Sequence, residues 1–163
     1  MKQLLIIRHA KSSWDFSTLN DFDRTLNDRG HKDAPAMAKR LFNKNVPIDA
    51  FISSTAKRAF TTAVYFAAAY QQPEKSIIQI KELYHATPPV FNNIINNVAN
   101  QFDTIAIFSH NPGITDFANQ LTTTKIDDMP TCAVFAAKAQ CKSWSDFKSS
   151  KKDFWFFDYP KSS

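Results

Sequence analysis

The side chains with most to offer chemically stand at the ends of apolar runs. Arg8 and His9 follow Leu4-Leu5-Ile6-Ile7, and His110 follows Ile105-Ala106-Ile107-Phe108-Ser109. Arg58 stands just beyond a third run, Asp49-Ala50-Phe51-Ile52, and Glu82 just beyond a fourth, Ser76 to Ile80. A guanidinium grips phosphate oxygens through planar, charge-assisted hydrogen bonds that an ammonium does not reproduce. A neutral imidazole carries a nucleophilic lone pair near neutral pH. Either histidine alone reads equally well as a residue that merely caps a strand or helix. Two in the same context, with an arginine beside the first, read as one site for phosphoryl chemistry.

The elements that must position these groups follow from the same runs. Leu4 to Ile7 is apolar without alternation, as in a strand covered on both faces. Open α/β sheets place ligand sites at the carboxyl ends of such strands, where Arg8 and His9 fall. Helical patterns intervene between the runs. After Gly30, Ala34, Met37, Ala38, Leu41 and Phe42 share a face, with Pro35 expected in the first turn. A second stripe joins Ala56, Ala59, Phe60, Ala63, Val64 and Ala67, with Ser54 or Thr55 as N-cap and with Arg58 and Thr62 off the stripe, one turn apart. Pro88-Pro89 opens a third pattern with Val90, Phe91, Ile94, Ile95 and Val98 inward, and Pro112-Gly113 a fourth with Ile114, Phe117, Ala118 and Leu121. Cys132 to Ala136 and Phe154 to Phe157 read as two last strands with no helix between them, an antiparallel pair turning near Lys148 to Lys152. The expected fold class is therefore α/β, a mostly parallel central sheet flanked by helices, with that antiparallel pair at the C-terminal end.

The polar connection from Lys11 to Asn27, containing Ser12, Ser13, Trp14, Asp15, Asp23 and Arg24, is long for a simple link. It reads either as a substrate-facing loop or as a surface loop pinned by Trp14 and Phe16.

Composition narrows the function classes. The chain has 163 residues and 44% apolar content, including 15 phenylalanines, enough for one well-filled domain over 1–163. Its net charge of +5 is spread along the chain and suits an anionic substrate; without a basic stripe interleaved with aromatics, no nucleic-acid partner is expected. The only glycines are Gly30 and Gly113, so neither a Walker A loop nor a GxGxxG fingerprint exists, and phosphate must be held by side chains and helix ends. No run approaches a membrane span, and the apolar run before Arg8 is too short for a signal-peptide core. Cys132 and Cys141 lack a CxxC or His-rich neighbourhood, so no metal site, no disulfide and a reduced, cytoplasmic compartment are expected. Oligomeric state is not legible.

Arg8-His9-Ala10-Lys11-Ser12-Ser13-Trp14 resembles the Arg-His-Gly signature of the histidine phosphatase superfamily, and with the short chain it looks like the SixA-type phosphohistidine phosphatase branch. The similarity continues through Asp23-Arg24-Thr25-Leu26 with Gly30, Ser53 to Ala59 with Thr61-Thr62-Ala63, Glu82-Leu83-Tyr84 and Ser109-His110-Asn111-Pro112. This resemblance implies a three-layer, phosphoglycerate mutase-like sandwich without a large cap insertion. It further implies that His9 is a nucleophile phosphorylated in a covalent intermediate. Arg8, Arg58 and His110 would then form the phosphate pocket, His110 also stabilising the transition state, with Lys11, Ser12 and Asn111 as further substrate contacts. Ala10 departs from the signature glycine. Glu82 occupies the position of the carboxylate acid of larger members; it is a candidate general acid or, equally, a strand-end carboxylate paired with a nearby Lys or Arg. No cofactor is implied. The expected substrate is phosphohistidine in a protein; the alternatives are a small phosphomonoester or, without turnover, phosphate binding by an adaptor.

Overall fold

Leu4, Leu5, Ile6 and Ile7 are all fully buried because they sit in a central strand with side chains going alternately to two separate cores. The computed structural model describes residues 1–14 and 20–161; Asp15 and Phe16 of the long loop lie outside them. In chain order the elements are β1 (Lys2–Arg8), α1 (Asp28–Asn43), β2 (Ala50–Ser53), α2 (Lys57–Ala69), β3 (Ile78–Gln79), α3 (Pro88–Asn96), β4 (Thr104–Ser109), α4 (Gly113–Leu121), β5 (Val134–Ala139) and β6 (Lys152–Asp158). They form one sheet in the order β3-β2-β4-β1-β5-β6. β1 runs parallel to β4, and β2 runs parallel to β4 and β3, whereas β5 and β6 are antiparallel additions.

Leu4, Ile6, Ile105 and Ile107 face α3 and α4 through Phe91, Ile94, Phe117 and Leu121. Leu5, Ile7, Ala106 and Phe108 face α1 and α2 through Met37, Leu41, Ala63 and Phe66. Helices, sheet and helices make the three layers expected for this fold class. The register matters most for the site: Arg8 pairs with Ser109 and Ser53 with Phe108. Three parallel strands therefore end level with one another, and the next residues of each meet at one sheet edge.

Several local expectations are corrected. Gly30 lies inside α1, which starts at Asp28 after an Asn27 cap whose Oδ1 accepts the Gly30 amide at 2.9 Å. Pro35 is thus mid-helix, where its missing N–H removes the bond to the His31 carbonyl. Phe42, in the last turn of α1, is 44% exposed, its ring meeting that of Tyr70 edge-on. The cap of α2 is Ala56, although Ser54 contributes by accepting the Ala56 amide on Oγ at 3.2 Å. β3 is only two residues long, and the turn between β5 and β6 is broader than Lys148 to Lys152, taking in a 3-10 turn at Trp144–Asp146.

Candidate active site

His9 leaves β1 buried, at 5% exposure, and its ring is oriented from both sides. Nδ1 donates to the Ala10 carbonyl at 2.7 Å, and Arg58 Nε donates to Nε2 at 3.3 Å. The carbonyl requires a proton on Nδ1 and the guanidinium requires a lone pair on Nε2, so one tautomer satisfies both. Burial, followed by the charges of Arg58, Arg8 and Arg24, outweighs the Ala10 hydrogen bond and pushes the His9 pKa down to about 3. At neutral pH the ring is uncharged with Nε2 free to act as a nucleophile.

His110 leaves β4 beside it, the two ring centroids 5.2 Å apart. Its Nε2 lies 2.8 Å from Ser54 Oγ, at the end of β2, and its Nδ1 has no hydrogen-bond partner among the described residues. Burial, then the proximity of His9 and Arg58, lowers its pKa to about 2.

Arg58, in the first turn of α2, is buried on a face the sequence pattern leaves polar. The reason is Thr62, one turn on: its Oγ1 accepts the Ala10 amide at 2.9 Å and donates to the Arg58 carbonyl at 2.8 Å, so this face of α2 packs against the end of β1. Ala10, in the position of the signature glycine, packs into the core with Ala34 and Ala63 and does not line the cavity.

These groups open into a cavity of about 310 Å³ lined by Arg8, His9, Lys11, Ser12, Trp14, Asp21, Arg24, Arg58, His85, His110, Asn111 and Thr131. The structure thus brings together every expected site residue except Glu82. That residue is exposed and borders a separate apolar groove of about 590 Å³ with Ile78, Ile80 and Val90. It sits in a 3-10 turn, Lys81–Leu83, in which Leu83 turns into the core and carries Glu82 outward. The larger groove is not the chemical site, since it contains none of the clustered cations.

Among the described residues the carboxylate at the cavity is instead Asp21, from a 3-10 turn in the long loop. Its backbone oxygen accepts from Arg58 Nη1 at 2.6 Å, and Oδ2 accepts from Arg58 Nη2 at 3.0 Å and from the Tyr84 hydroxyl at 2.5 Å. Partial burial pushes its pKa up, but the Tyr84 and Arg58 hydrogen bonds and the charges of Arg58 and Arg24 prevail and hold it down to about 2. Arg24 Nε lies 3.2 Å from Asp21 Oδ1, and its guanidinium covers the Trp14 ring at 3.6 Å. Loop position without periodicity hides Asp21 from sequence reasoning, whereas Arg24 stands in the polar loop and in the Asp23-Arg24-Thr25-Leu26 stretch without a site role assigned to it. His85 is exposed as well as cavity-lining, with a left-handed φ of 65° and its ring 3.9 Å from that of Tyr84. His31 is exposed, its Nδ1 2.7 Å from the Tyr65 hydroxyl.

Arg8 is anchored by donating from Nη1 to the Met129 carbonyl at 2.8 Å, while its buried Nε has no hydrogen-bond partner among the described residues. Asn111 is committed to the same segment: Nδ2 donates to Asp128 Oδ1 at 2.8 Å and Oδ1 accepts from Thr115 at 2.6 Å. Arg8 Nε and Arg24 Nη1 are therefore buried donors with no acceptor among the described residues, in a cavity that also holds Lys11 and Arg58. Such donors are costly to bury unless an anion satisfies them. Among the described residues no three His, Cys, Asp or Glu side chains are grouped to hold a metal ion, and no helix is long and apolar enough to cross a membrane.

Residues 4–87 match the model of the histidine phosphatase superfamily, branch 1, and the chain belongs to that family. An uncharacterized protein of Mycobacterium leprae is 32% identical over 120 residues, 71% of each chain, and an uncharacterized chloroplastic protein of Arabidopsis thaliana 29% identical over 153 residues, 89% of this chain and 70% of the relative. SixA from Agrobacterium tumefaciens superposes with a TM-score of 0.81 at 22% identity over 98% of both chains. The protein histidine phosphatase SixA complexed with tungstate gives 0.80 at 20% identity over 97% of both. A mycobacterial glucosyl-3-phosphoglycerate phosphatase complexed with VO3 gives 0.70 at 13% identity, covering 98% of this chain and all of the other. The phosphoglycerate mutase-like fold is common to all of these structures, and the family match makes the chain a member of the histidine phosphatase superfamily.

Proposed function

We propose that the chain hydrolyses phosphohistidine in a protein through a phosphorylated His9. The observation that carries this reading is the commitment of Asp21, the carboxylate lining the cavity among the described residues, whose Oδ2 accepts from both Arg58 and Tyr84 and which those bonds hold ionised. An alkoxide is a poor leaving group and departs only with a proton from an acid that holds one at working pH. Asp21 gives up its proton at about pH 2, and Glu82 lies in another groove. An imidazole leaving group makes far less demand for protonation, so an N-phosphorylated histidine fits where an alkyl phosphate does not. A SixA of the same fold is complexed with tungstate, which supports an oxyanion ligand for this fold.

In the first step the substrate ring enters with its other nitrogen protonated, the Nε2 lone pair attacks phosphorus and the substrate P–N bond breaks, its electron pair staying on the departing nitrogen so that neutral imidazole leaves. In the second a water oxygen attacks the same phosphorus and the P–Nε2 bond breaks. Phosphate leaves, the water's proton passes to solvent, and neutral His9 is restored. Arg8, Arg24 and Arg58 stabilise the charge on the equatorial oxygens, from which most of the rate enhancement of phosphoryl transfer comes. When Ser54 donates to His110 Nε2, the proton of His110 sits on Nδ1 and adds a neutral donor. The guanidinium groups supply the positive charge, so turnover in EDTA is expected.

The test compares wild type, His9→Ala and Glu82→Gln on a phosphohistidine protein, p-nitrophenyl phosphate and glycerol phosphate, with EDTA present. His9→Ala is expected to lose roughly a thousandfold or more in kcat and to yield no acid-quenched phosphoenzyme. Glu82→Gln is expected to stay near wild type on all three. Retained activity in His9→Ala, or preference for glycerol phosphate, overturns the assignment; phosphate binding without turnover establishes the adaptor instead.

A further inference from the structure

Trp14 is 75% exposed, yet its ring is held in place: one face is covered by the Arg24 guanidinium at 3.6 Å. Arg24 is in turn paired with Asp21, which grips Arg58. A continuous set of contacts thus runs from an indole at the cavity mouth to the guanidinium beside His9 Nε2. Among the described residues, Trp14 is also the one large apolar side chain in a cavity otherwise lined by charged and polar groups. An exposed ring that only completed a core would be buried, and one that was merely solvated would not be fixed by a stacked cation.

Resting on the reading above, we propose that Trp14 determines leaving-group specificity by stacking its free surface on the planar ring that carries the phosphoryl group. In-line attack by His9 requires the leaving group to depart on the side of phosphorus away from Nε2. His9 is buried and Trp14 exposed on the same cavity, so a group leaving away from the buried side passes toward Trp14. The stacked guanidinium restrains the indole before any ligand arrives, so little further side-chain freedom is lost on binding. A ring gains apolar contact and favourable π geometry there, whereas a leaving group without a ring leaves the indole in water.

Two N–P substrates separate ring recognition from bond chemistry: N-phosphorylimidazole and phosphoramidate. Trp14→Ala is expected to lower the ratio of their kcat/KM values about tenfold, the larger loss falling on N-phosphorylimidazole, with Trp14→Phe restoring most of the preference. Equal losses on both substrates would mean that Trp14 acts only through Arg24, and no loss on either that it does nothing; both overturn the proposal. A binding comparison stands apart from turnover. On His9→Ala, phenyl phosphate is expected by calorimetry to bind about tenfold more tightly than methyl phosphate, and the difference to vanish in His9→Ala/Trp14→Ala. Should wild type hydrolyse neither N–P compound, the phosphatase reading fails while this comparison still decides the role of Trp14; equal affinities overturn it.

Discussion

Thr62 shows how closely the reactive geometry depends on one side chain that touches no phosphate. Its hydroxyl bridges the Ala10 amide and the Arg58 carbonyl, and Ala10 also supplies the carbonyl that orients His9. Thr62→Val keeps the shape but leaves a buried amide without an acceptor. The expected result is a loss of about 1–3 kcal/mol in urea unfolding, with kcat falling more than KM rises, and Thr62→Ser restoring both. A variant with wild-type kcat would mean that the strand end holds itself. At this scale much of the site was legible: Arg8, His9, Arg58 and His110 each directly follow or closely trail an apolar run, so strand placement alone brings them together. Burial of Arg58 and Thr62 was not, since a polar helix face reads as solvated until the chain that packs on it is known. Asp21 was hidden, and the role of Arg24 left unassigned, for a related reason. Their positions come from a loop, where no period links sequence to direction.

Both glycines of the chain matter at the scale of elements, and for packing rather than for backbone angle. A Cβ on Gly113 would come 1.7 Å from the Ala86 carbonyl oxygen, and one on Gly30 2.1 Å from that of Lys11. Each glycine lets a helix start press against a segment that lines the cavity: α4 against the residues after Tyr84 and His85, and α1 against Lys11 and Ser12. Gly113→Ala is therefore expected to cost about 1–3 kcal/mol in urea unfolding and to weaken inorganic phosphate binding as the 84–86 segment shifts. An unchanged midpoint would show that this contact yields freely. Order and type of the elements could be read from apolar periodicity, including the antiparallel close, because long buried runs leave few alternatives. Boundaries and short turns could not. The Lys81–Leu83 turn takes its direction from Leu83 entering the core, and this alone removes Glu82 from the site.

At the scale of the whole molecule, the reactive centre sets how the fold responds to acid. His9 and His110 titrate at about 3 and about 2 in the folded chain, against 6.5 for a free imidazole. Their pKa values are lowered, so below pH 6.5 the unfolded chain binds protons on these two rings that the folded chain refuses. Stability then rises with pH across this window and falls as pH drops through it, by up to about 1.4 kcal/mol per pH unit for each ring. Asp21 acts in the same direction further down: its pKa is lowered from 3.8 to about 2, so its contribution is present above 3.8 and lost as pH falls toward 2. Between pH 6.5 and 5 Asp21 stays ionised and His9 and His110 carry the change. The urea midpoint of wild type should decline steadily over that interval, and the decline should be markedly shallower in His9→Gln/His110→Asn. Equal slopes in the two proteins would mean that the folded site accommodates charged imidazoles. The neutral, buried nucleophile that the chemistry requires would then have to be produced by the substrate rather than by the fold.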